Sequence, residues 1–485
     1  MRIEEGRLKA LNILRENGID PYPHKYQITH TIQEARNKPI GAHVKTAGRI
    51  RAIRKHGRAF FADLWDEGTK IQTYFKIDIL GEDRFKLAQT TFDTGDIIGV
   101  EGETFLTRKG ELTILVKSFT ILSKALNTPP KEWYGIRDKE IRYRKRYLDI
   151  LINQEVRQAF ETRFRIISEI RNFLNSKGFI EVETPILQPI YGGASARPFK
   201  THVNALGQEW YLRISPELYL KRLIIAGFNK IYEIGKVFRN EDIDVSHNPE
   251  FTIMELYWAY ADYNDIMNLT EELIEHLALN IIKRETIRIN GNEIHLTRPF
   301  KRITMYEALR KIAGIDPERI SDEEIKEIMR TNEITLRGGY SRGLALAEIF
   351  EKLCEDELIQ PTFILDHPIE TTPLCKPHRS KPGLIERFEL YINGIELANA
   401  YTELNDPILQ ERLLIEQAKR RELGDEEAHM YDADFVEALS YGMPPTGGLG
   451  IGIDRLVAIL TGKSSIKEII PFPMIKPKTL TMKKI

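Results

Sequence analysis

Cysteine is nearly absent: Cys354 and Cys375 are the only two in 485 residues. Two thiols cannot staple a chain of this size, which excludes a disulfide scaffold and fits a reducing compartment. Cys375 precedes His378 by three residues, but no further ligands follow at zinc spacing, so both cysteines read as ordinary residues. No apolar run approaches membrane-spanning length. The opening stretch MRIEEGRLKALNIL carries Glu4 and Glu5 and lacks a signal-like apolar core. A cytoplasmic protein with no membrane partner is therefore expected. Charge of one sign is missing too. Lys and Arg total 70, Asp and Glu 71, so a polyanionic partner has to be met by local basic patches. There is no internal repeat or low-complexity tract. What is present is 42% hydrophobic and 29% charged residues, enough for a large core divided over two to four domains.

The chain changes character several times. Residues 1–40 read as a helical lead. Residues 41–125 hold about five short β-rich runs broken by turns such as Asp66-Glu67-Gly68 and Lys109-Gly110, the pattern of a small OB-type barrel. Its first strands carry Lys45, Arg49, Arg51, Arg54, Lys55 and Arg58, followed by Phe60, Phe61, Trp65, Tyr74 and Phe75. Basic side chains beside exposed rings suit single-stranded nucleic acid. A solvated basic edge strand above core aromatics reads equally well. Residues 126–150, with Pro129-Pro130 and a basic tract, read as a linker. From 151 to 485 strands and helices alternate, opening on an amphipathic helix at 153–177 closed by Gly178, with a helical insert at about 302–356.

The stretch VFRNEDIDVSHNPEFTIMEL, Val237 to Leu256, reads as two strands around a polar loop. Period-two alternation puts Arg239 and Glu241 on one face of the first strand. It puts Phe251, Ile253, Glu255 and Tyr257 on one face of the second. Charges in such strands either satisfy one another or wait for a ligand. The loop adds His247 and Asn248. In GGLGIGIDRL, Gly448, Gly450 and Gly452 alternate and leave a bare strand face on which a flat group can lie. Arg455 falls on the first turn of the next helix, aimed back at that face. Close helix–strand packing explains the same glycines. Thr461-Gly462-Lys463-Ser464 resembles half a phosphate loop, but its leading glycine would fall at Val457, inside a helix.

In RFELYINGIELANAYTELND, Glu389 and Glu396 flank the hairpin signal Asn393-Gly394. Side by side on paired strands they suit Mg²⁺, although an exposed hairpin explains them as well. Asn399, Tyr401 and Glu403 alternate behind them. Gly192 and Gly193 allow backbone to approach a ligand, and Glu217 follows Pro216 at a helix start, where a carboxylate is routine.

GFIEVETP, the FRNE loop and GLGIGIDR resemble, in this order, the three motifs of the class II aminoacyl-tRNA synthetases. ISPELYLKRL, HNPEFTIMELYWAYADY and NAYTELNDP are similar to the lysine-specific branch. The resemblance covers nearly the whole chain. It implies an α+β protein with an OB-fold anticodon-binding domain and a catalytic domain built on a six-stranded antiparallel sheet flanked by helices. It further implies a homodimer that activates L-lysine with ATP and Mg²⁺ and charges lysine tRNA. By the same resemblance, Arg239 and Arg455 serve the reaction. Glu241, His247, Asn248, Phe251, Gly450 and Gly452 join them around ATP. Gly193, Glu217, Glu255, Tyr257, Asn399, Tyr401 and Glu403 surround lysine together with Arg239. Glu389 and Glu396 hold the metal, and Arg54, Phe61 and Gln72 read the anticodon. An acidic, ring-walled slot is what a four-carbon stem with an ammonium tip needs, and an unpaired buried carboxylate there rejects uncharged analogues. The rivals are a same-fold enzyme that lysylates a protein, whose relatives lack the barrel, and a catalytically inactive nucleic-acid-binding paralogue.

Overall fold

The computed structural model describes residues 3–130, 136, 138–336 and 339–477. The chain divides into two compact units, Met1–Gln154 and Glu155–Ile485.

In the first unit, helix Glu5–Glu16 precedes five strands: β1 (His43–His56), β2 (Ala59–Asp66), β3 (Thr69–Lys76), β4 (Ile97–Leu106) and β5 (Leu112–Ser123). They close into a barrel in the order β1-β2-β3-β5-β4. β3 pairs with β5 in parallel, and the other neighbours are antiparallel. The β2–β3 turn has φ of 44° at Glu67 and 80° at Gly68, the left-handed pair that a tight hairpin requires. Alternation divides the aromatics. Phe60 and Phe75 stack inside, ring centroids 4.4 Å apart, and the rings of Phe92 and Phe119 meet edge-on at 5.1 Å. Phe61 and Tyr74 point to the other side. Closure also corrects one expectation: β1 is paired on both sides and is not an edge strand. Helices Lys139–Arg144 and Arg146–Ile152 follow the barrel. Residues 131–135 and 137 of the expected linker lie outside the described residues.

The second unit opens with helix Gln154–Ser176, which ends one residue pair before Gly178 at φ 82°. Its sheet has eight strands in the spatial order Lys301–Thr304, Thr362–Leu365, Arg387–Ile392, Ile395–Thr402, Thr446–Gly452, Glu250–Ala259, Lys230–Phe238 and Ile180–Glu181. The inner six are antiparallel, as the resemblance implies. The two outermost strands add parallel pairings that the sequence did not announce. The strand Glu250–Ala259 shows how the site arises. Met254 and Leu256 on one face are fully buried in the core with Ile266, Met267 and Ile274 of helix Tyr263–Leu277. The other face, Phe251, Ile253, Glu255 and Tyr257, is turned away from this core, with Tyr257 also packing against Leu218 and Ile231 in a smaller apolar cluster. Helices Met305–Ala308, Asp322–Thr331 and Arg342–Cys354 share a separate core around Leu309, Ile325, Leu346, Ile349 and Phe350. Among the described residues no helix is long and apolar enough to cross a membrane.

Candidate active site

The strand face of Phe251, Ile253, Glu255 and Tyr257 lines a cavity of about 660 Å³ in the second unit. Every residue expected there from the catalytic-domain motifs borders it. Four regions stand out: a glycine-floored shelf, a lone arginine, an acidic slot and a carboxylate-rich rim.

The shelf is the strand Thr446–Gly452. Side-chain atoms placed on Gly450 or Gly452 would have only ordinary contacts at 3.6 Å or beyond, so these glycines leave a flat floor. Arg455 stands on the first turn of helix Ile453–Leu460. Its Nη1 donates to the Glu396 carbonyl at 2.7 Å and lies 3.3 Å from the Glu396 carboxylate; Nη2 is 3.2 Å from His247 Nε2. His247 is held by Asp244, whose pKa is pulled down to about 2 by bonds from the imidazole and two backbone amides, against its burial. The Asn248 amide donates to the Glu250 carbonyl, fixing the loop.

Arg239 and Glu241 do not lie on a strand, because Lys230–Phe238 ends before both. The backbone turns there: Arg239 N–H bonds the Pro249 carbonyl and Glu241 N–H bonds the Arg239 carbonyl. Glu241 is exposed at the mouth. Arg239 reaches in over the Phe251 ring, 5.1 Å from its centroid. Among the described residues its guanidinium makes one hydrogen bond, a long one from Nε to the Ile214 carbonyl at 3.4 Å, and no ion pair. Burial draws its pKa down, while the fields of Glu241, Glu396 and Glu255 oppose the shift. The charges of the Arg239 hairpin therefore do not satisfy one another. The guanidinium is poised for an anion.

The slot is built by Glu217, Glu255 and Glu403, all buried, with Tyr257 and Tyr401 as walls. Glu255 accepts from Ser215 Oγ at 2.8 Å and from the Tyr257 hydroxyl at 3.2 Å. Burial first, and the Glu217 charge second, push its pKa up to about 8. Glu217 opens helix Glu217–Ile225, yet it is not a routine exposed end charge, because Lys221 donates to it at 2.6 Å. The same Lys221 Nζ lies 2.5 Å from Glu403 Oε2. Glu403 is thus ion-paired, contrary to the unpaired carboxylate expected. Asn399 accepts from Arg387 at 3.2 Å on the same strand face. Two glycines are fixed by crowding. Gly193 has φ 85°, and a Cβ there would fall 2.7 Å from Ser215 Oγ. A Cβ on Gly448 would collide with Glu403 and lie 2.8 Å from the Tyr257 ring.

On the rim, Glu389 and Glu396 both face the cavity but are not cross-strand partners. A register shift after Leu390 sets Glu389 opposite Asn399 and Tyr391 opposite Glu396. The turn itself is as read, with φ 55° and 67° at Asn393 and Gly394. Glu389 is only 7% exposed, so the exposed-hairpin reading fails. It is oriented by Arg387 and by the Tyr391 hydroxyl at 2.9 Å. Two further acids crowd in. Glu351 is pushed up to about 8 and Glu355 to about 7 by burial and by neighbouring glutamates, Glu389 among them. Among the described residues no cluster of three or more His, Cys, Asp or Glu is placed to hold a metal by itself. A surplus of hard, negative oxygens facing a cavity nevertheless fits a Mg²⁺ ion that takes its remaining ligands from phosphate and water.

In the barrel, Arg54 lies opposite Phe61, and Asp63 opposite Gln72. Phe61 and Tyr74 stack at 4.5 Å, with Phe105 6.0 Å beyond. Arg54 is held by Asp63 through two bonds of 2.7 and 2.9 Å. The Gln72 amide donates to Glu111 at 3.1 Å and accepts from Thr113 at 2.9 Å. Rings and fixed polar groups thus share one face. Much of the basic run is already engaged: Arg49 with the Gly95 carbonyl, Arg51 over Trp65, Arg58 with Asp78.

Sequence reading missed Lys221, Ser215, Arg387, Glu351, Glu355 and Glu111. Lys221 had a signal, its i,i+4 spacing from Glu217, which reads as an ordinary helical pair. Arg387 had one too, since it alternates with Glu389 on one strand face, and Ser215 stands two residues before Glu217, whose N–H donates to its hydroxyl. Glu351, Glu355 and Glu111 meet the site only through tertiary packing.

Comparison with known proteins agrees with this geometry. Residues 138–476 match tRNA synthetases class II (D, K and N), and residues 44–122 match the OB-fold nucleic acid binding domain. The lysine–tRNA ligase of Saccharolobus solfataricus is 57% identical, over 99% of both chains. That of Sulfolobus acidocaldarius is 55% identical over 99% of this chain and 98% of its own, and that of Thermotoga maritima 49% over 98% and 96%. With the matched family spanning most of its length, the chain belongs to the class II tRNA synthetases of the D, K and N group.

Proposed function

We propose that this protein activates L-lysine with ATP to lysyl-adenylate and transfers the lysyl group to the 3′ end of lysine tRNA. The observation that carries the reading is the cavity's division of charge. Arg239, which makes no ion pair among the described residues, stands between a glycine-floored shelf and a buried slot of three carboxylates. Lysine's two ammonium groups suit the slot, and its carboxylate suits the arginine.

The family resemblance assigns the roles, and the placement of the residues around the cavity supports them. The adenine lies on Gly450 and Gly452 between Phe251 and Arg455, with Glu241 and Asn248 at its edge and His247 toward the terminal phosphates. The α-amino group meets Glu217 and the backbone at Gly193. The stem runs between Tyr257 and Tyr401 past Asn399, and the ε-ammonium is taken by Glu255 and Glu403. Arg239 neutralises the lysine carboxylate and the α-phosphate together, which removes the repulsion between nucleophile and electrophile. A carboxylate oxygen attacks the α-phosphorus in line, the α–β bridging P–O bond breaks, and pyrophosphate leaves. Positioning and charge neutralisation do most of this work. Glu389 and Glu396 would hold Mg²⁺, which would supply positive charge to the phosphates. The terminal ribose hydroxyl of tRNA then attacks the lysyl carbonyl and AMP departs. We assign no protein general base. Phe61, Arg54 and Gln72 contact the anticodon.

Phe164 on helix Gln154–Ser176 and Ile180 on the adjoining strand are each 54% exposed, which supports a homodimer through that surface. The composition supports a cytoplasmic protein. The barrel disfavours a protein-lysylating enzyme, and the intact set of site residues disfavours an inactive paralogue. Charging of lysine tRNA transcripts with altered anticodons tests the whole assignment. Charging has to fall with anticodon changes; indifference to the anticodon, or no charging at all, defeats it.

A further inference from the structure

The slot contains a positive charge of its own. Lys221 is 0% exposed, does not border the cavity, and sits behind the slot with its ammonium between Glu217 at 2.6 Å and Glu403 at 2.5 Å. A buried cation inside a site meant to receive cations looks counterproductive, since it competes for the carboxylates the ligand needs. Counting charges resolves this. Of the other titratable groups whose fields reach this cluster, Tyr257, Tyr401 and Cys375 have pKa values raised by burial and stay neutral. His429 is pushed down to about 4 by burial and by Lys221 and Arg420, and is neutral as well. Arg387 is committed to Glu389, and Arg420 to Asp425. The field of Arg239 also reaches Glu255, but that guanidinium is assigned to the ligand's carboxylate. Burial raises the pKa of all three acids, so protons cover part of their charge before a ligand enters. Once all three are ionised, Glu217, Glu255 and Glu403 stand against one ammonium, a deficit of two positive charges. A diamino acid brings two.

We propose that Lys221 is a positioning residue that sets the charge count of the slot. It neutralises one of three carboxylates, so that the remaining charge matches a ligand with two ammonium groups, while it holds Glu217 and Glu403 at the separation they need. The inference rests on the lysine-activation reading above. With no Lys221, three carboxylates would face two ammoniums, and one acid would have to remain protonated or unpaired in a dry site. With Lys221 and only two acids, the ligand would bring one cation too many. A neutral amino acid, with its single ammonium, leaves one of the three acids protonated or unpaired in the native slot and so forgoes one ion pair.

The count makes a prediction that a merely structural role does not. Glu217→Gln alone should raise the KM for lysine by about tenfold or more in ATP–pyrophosphate exchange. Lys221→Met alone should also raise it, with the KM for ATP changed less than about twofold. The double variant Lys221→Met/Glu217→Gln restores two carboxylates for two ammoniums, so its KM for lysine should fall below that of Glu217→Gln alone. A purely structural lysine predicts the opposite, a double variant worse than either single one. If Lys221→Met does not fold by circular dichroism, the comparison of the double variant with Glu217→Gln still decides. The inference is overturned by a lysine KM in Lys221→Met within about twofold of the native value, or by a double variant no better than Glu217→Gln. If the native enzyme shows no lysine-dependent exchange, the lysine reading itself fails, a result distinct from either of these.

Discussion

Glu255 offers a quantitative handle on the empty slot. Burial and the Glu217 charge push its pKa up to about 8, so near neutral pH the empty site holds a proton there. An ammonium arriving in the slot favours the carboxylate, and the proton leaves as the ligand enters. If the complex restores an ordinary carboxyl pKa of 4.5, the shift is about 3.5 units, an upper bound of about 5 kcal/mol of coupling at roughly 1.4 kcal/mol per unit. The sign is fixed. Between the pKa of the complex and that of the free site, each unit of rising pH removes a competing proton. The Kd for lysine should therefore fall up to about tenfold per unit from pH 6 to 7.5 and level off above about 8. Isothermal titration calorimetry at pH 7, in two buffers of different ionisation enthalpy, should report at least half a proton released per lysine bound. Glu255→Gln should lower that release and make the profile shallower, any remainder coming from Glu403, whose pKa burial also raises to about 8. A native enzyme with no proton exchange and a flat Kd over this range would refute the assignment of Glu255 to the ammonium.

Other consequences are simpler. Arg239→Ala should abolish lysine-dependent ATP–pyrophosphate exchange, because among the described residues no other cation near the shelf lacks a carboxylate partner; near-normal exchange would contradict its role. Glu403→Gln should raise the KM for lysine far more than that for ATP, and equal effects on both would remove it from the amino-acid slot. Gly448→Ala should impair lysine use while leaving the fold intact by circular dichroism, since the added methyl meets Glu403 and Tyr257; unchanged lysine kinetics would show that the slot lies elsewhere. Phe61→Ala should lower kcat/KM for tRNA by about 5- to 150-fold, the 1–3 kcal/mol of one stacked base, without touching exchange. Loss of both activities together would point to misfolding of the barrel.

Local patterns carried much of this account, and their limits have physical causes. The face-sharing of Phe251, Ile253, Glu255 and Tyr257 was legible because strand alternation is a covalent property. The left-handed pair Asn393-Gly394 was legible from residue type alone. The strand could not be followed to Arg239, because its end is set by a bond from Arg239 N–H to Pro249 across the loop. The register shift after Leu390 was equally silent, and it separates Glu389 from Glu396 in a way that hairpin arithmetic does not foresee. The largest omission was Lys221. Its spacing from Glu217 was visible, but its approach to Glu403, 182 positions later, depends on how helix Glu217–Ile225 packs beneath the sheet. Closure of the barrel likewise turned a supposed edge strand into an interior one.

The central claim is that an acidic, tyrosine-walled slot next to a lone arginine and a bare glycine strand selects a long diamino acid for adenylation. It is tested most directly by ATP–pyrophosphate exchange on the purified protein with each of the twenty amino acids supplied singly. The account predicts exchange with L-lysine and background rates with the others, arginine and methionine included. Strong exchange with a neutral or acidic amino acid, or none with lysine, would contradict it.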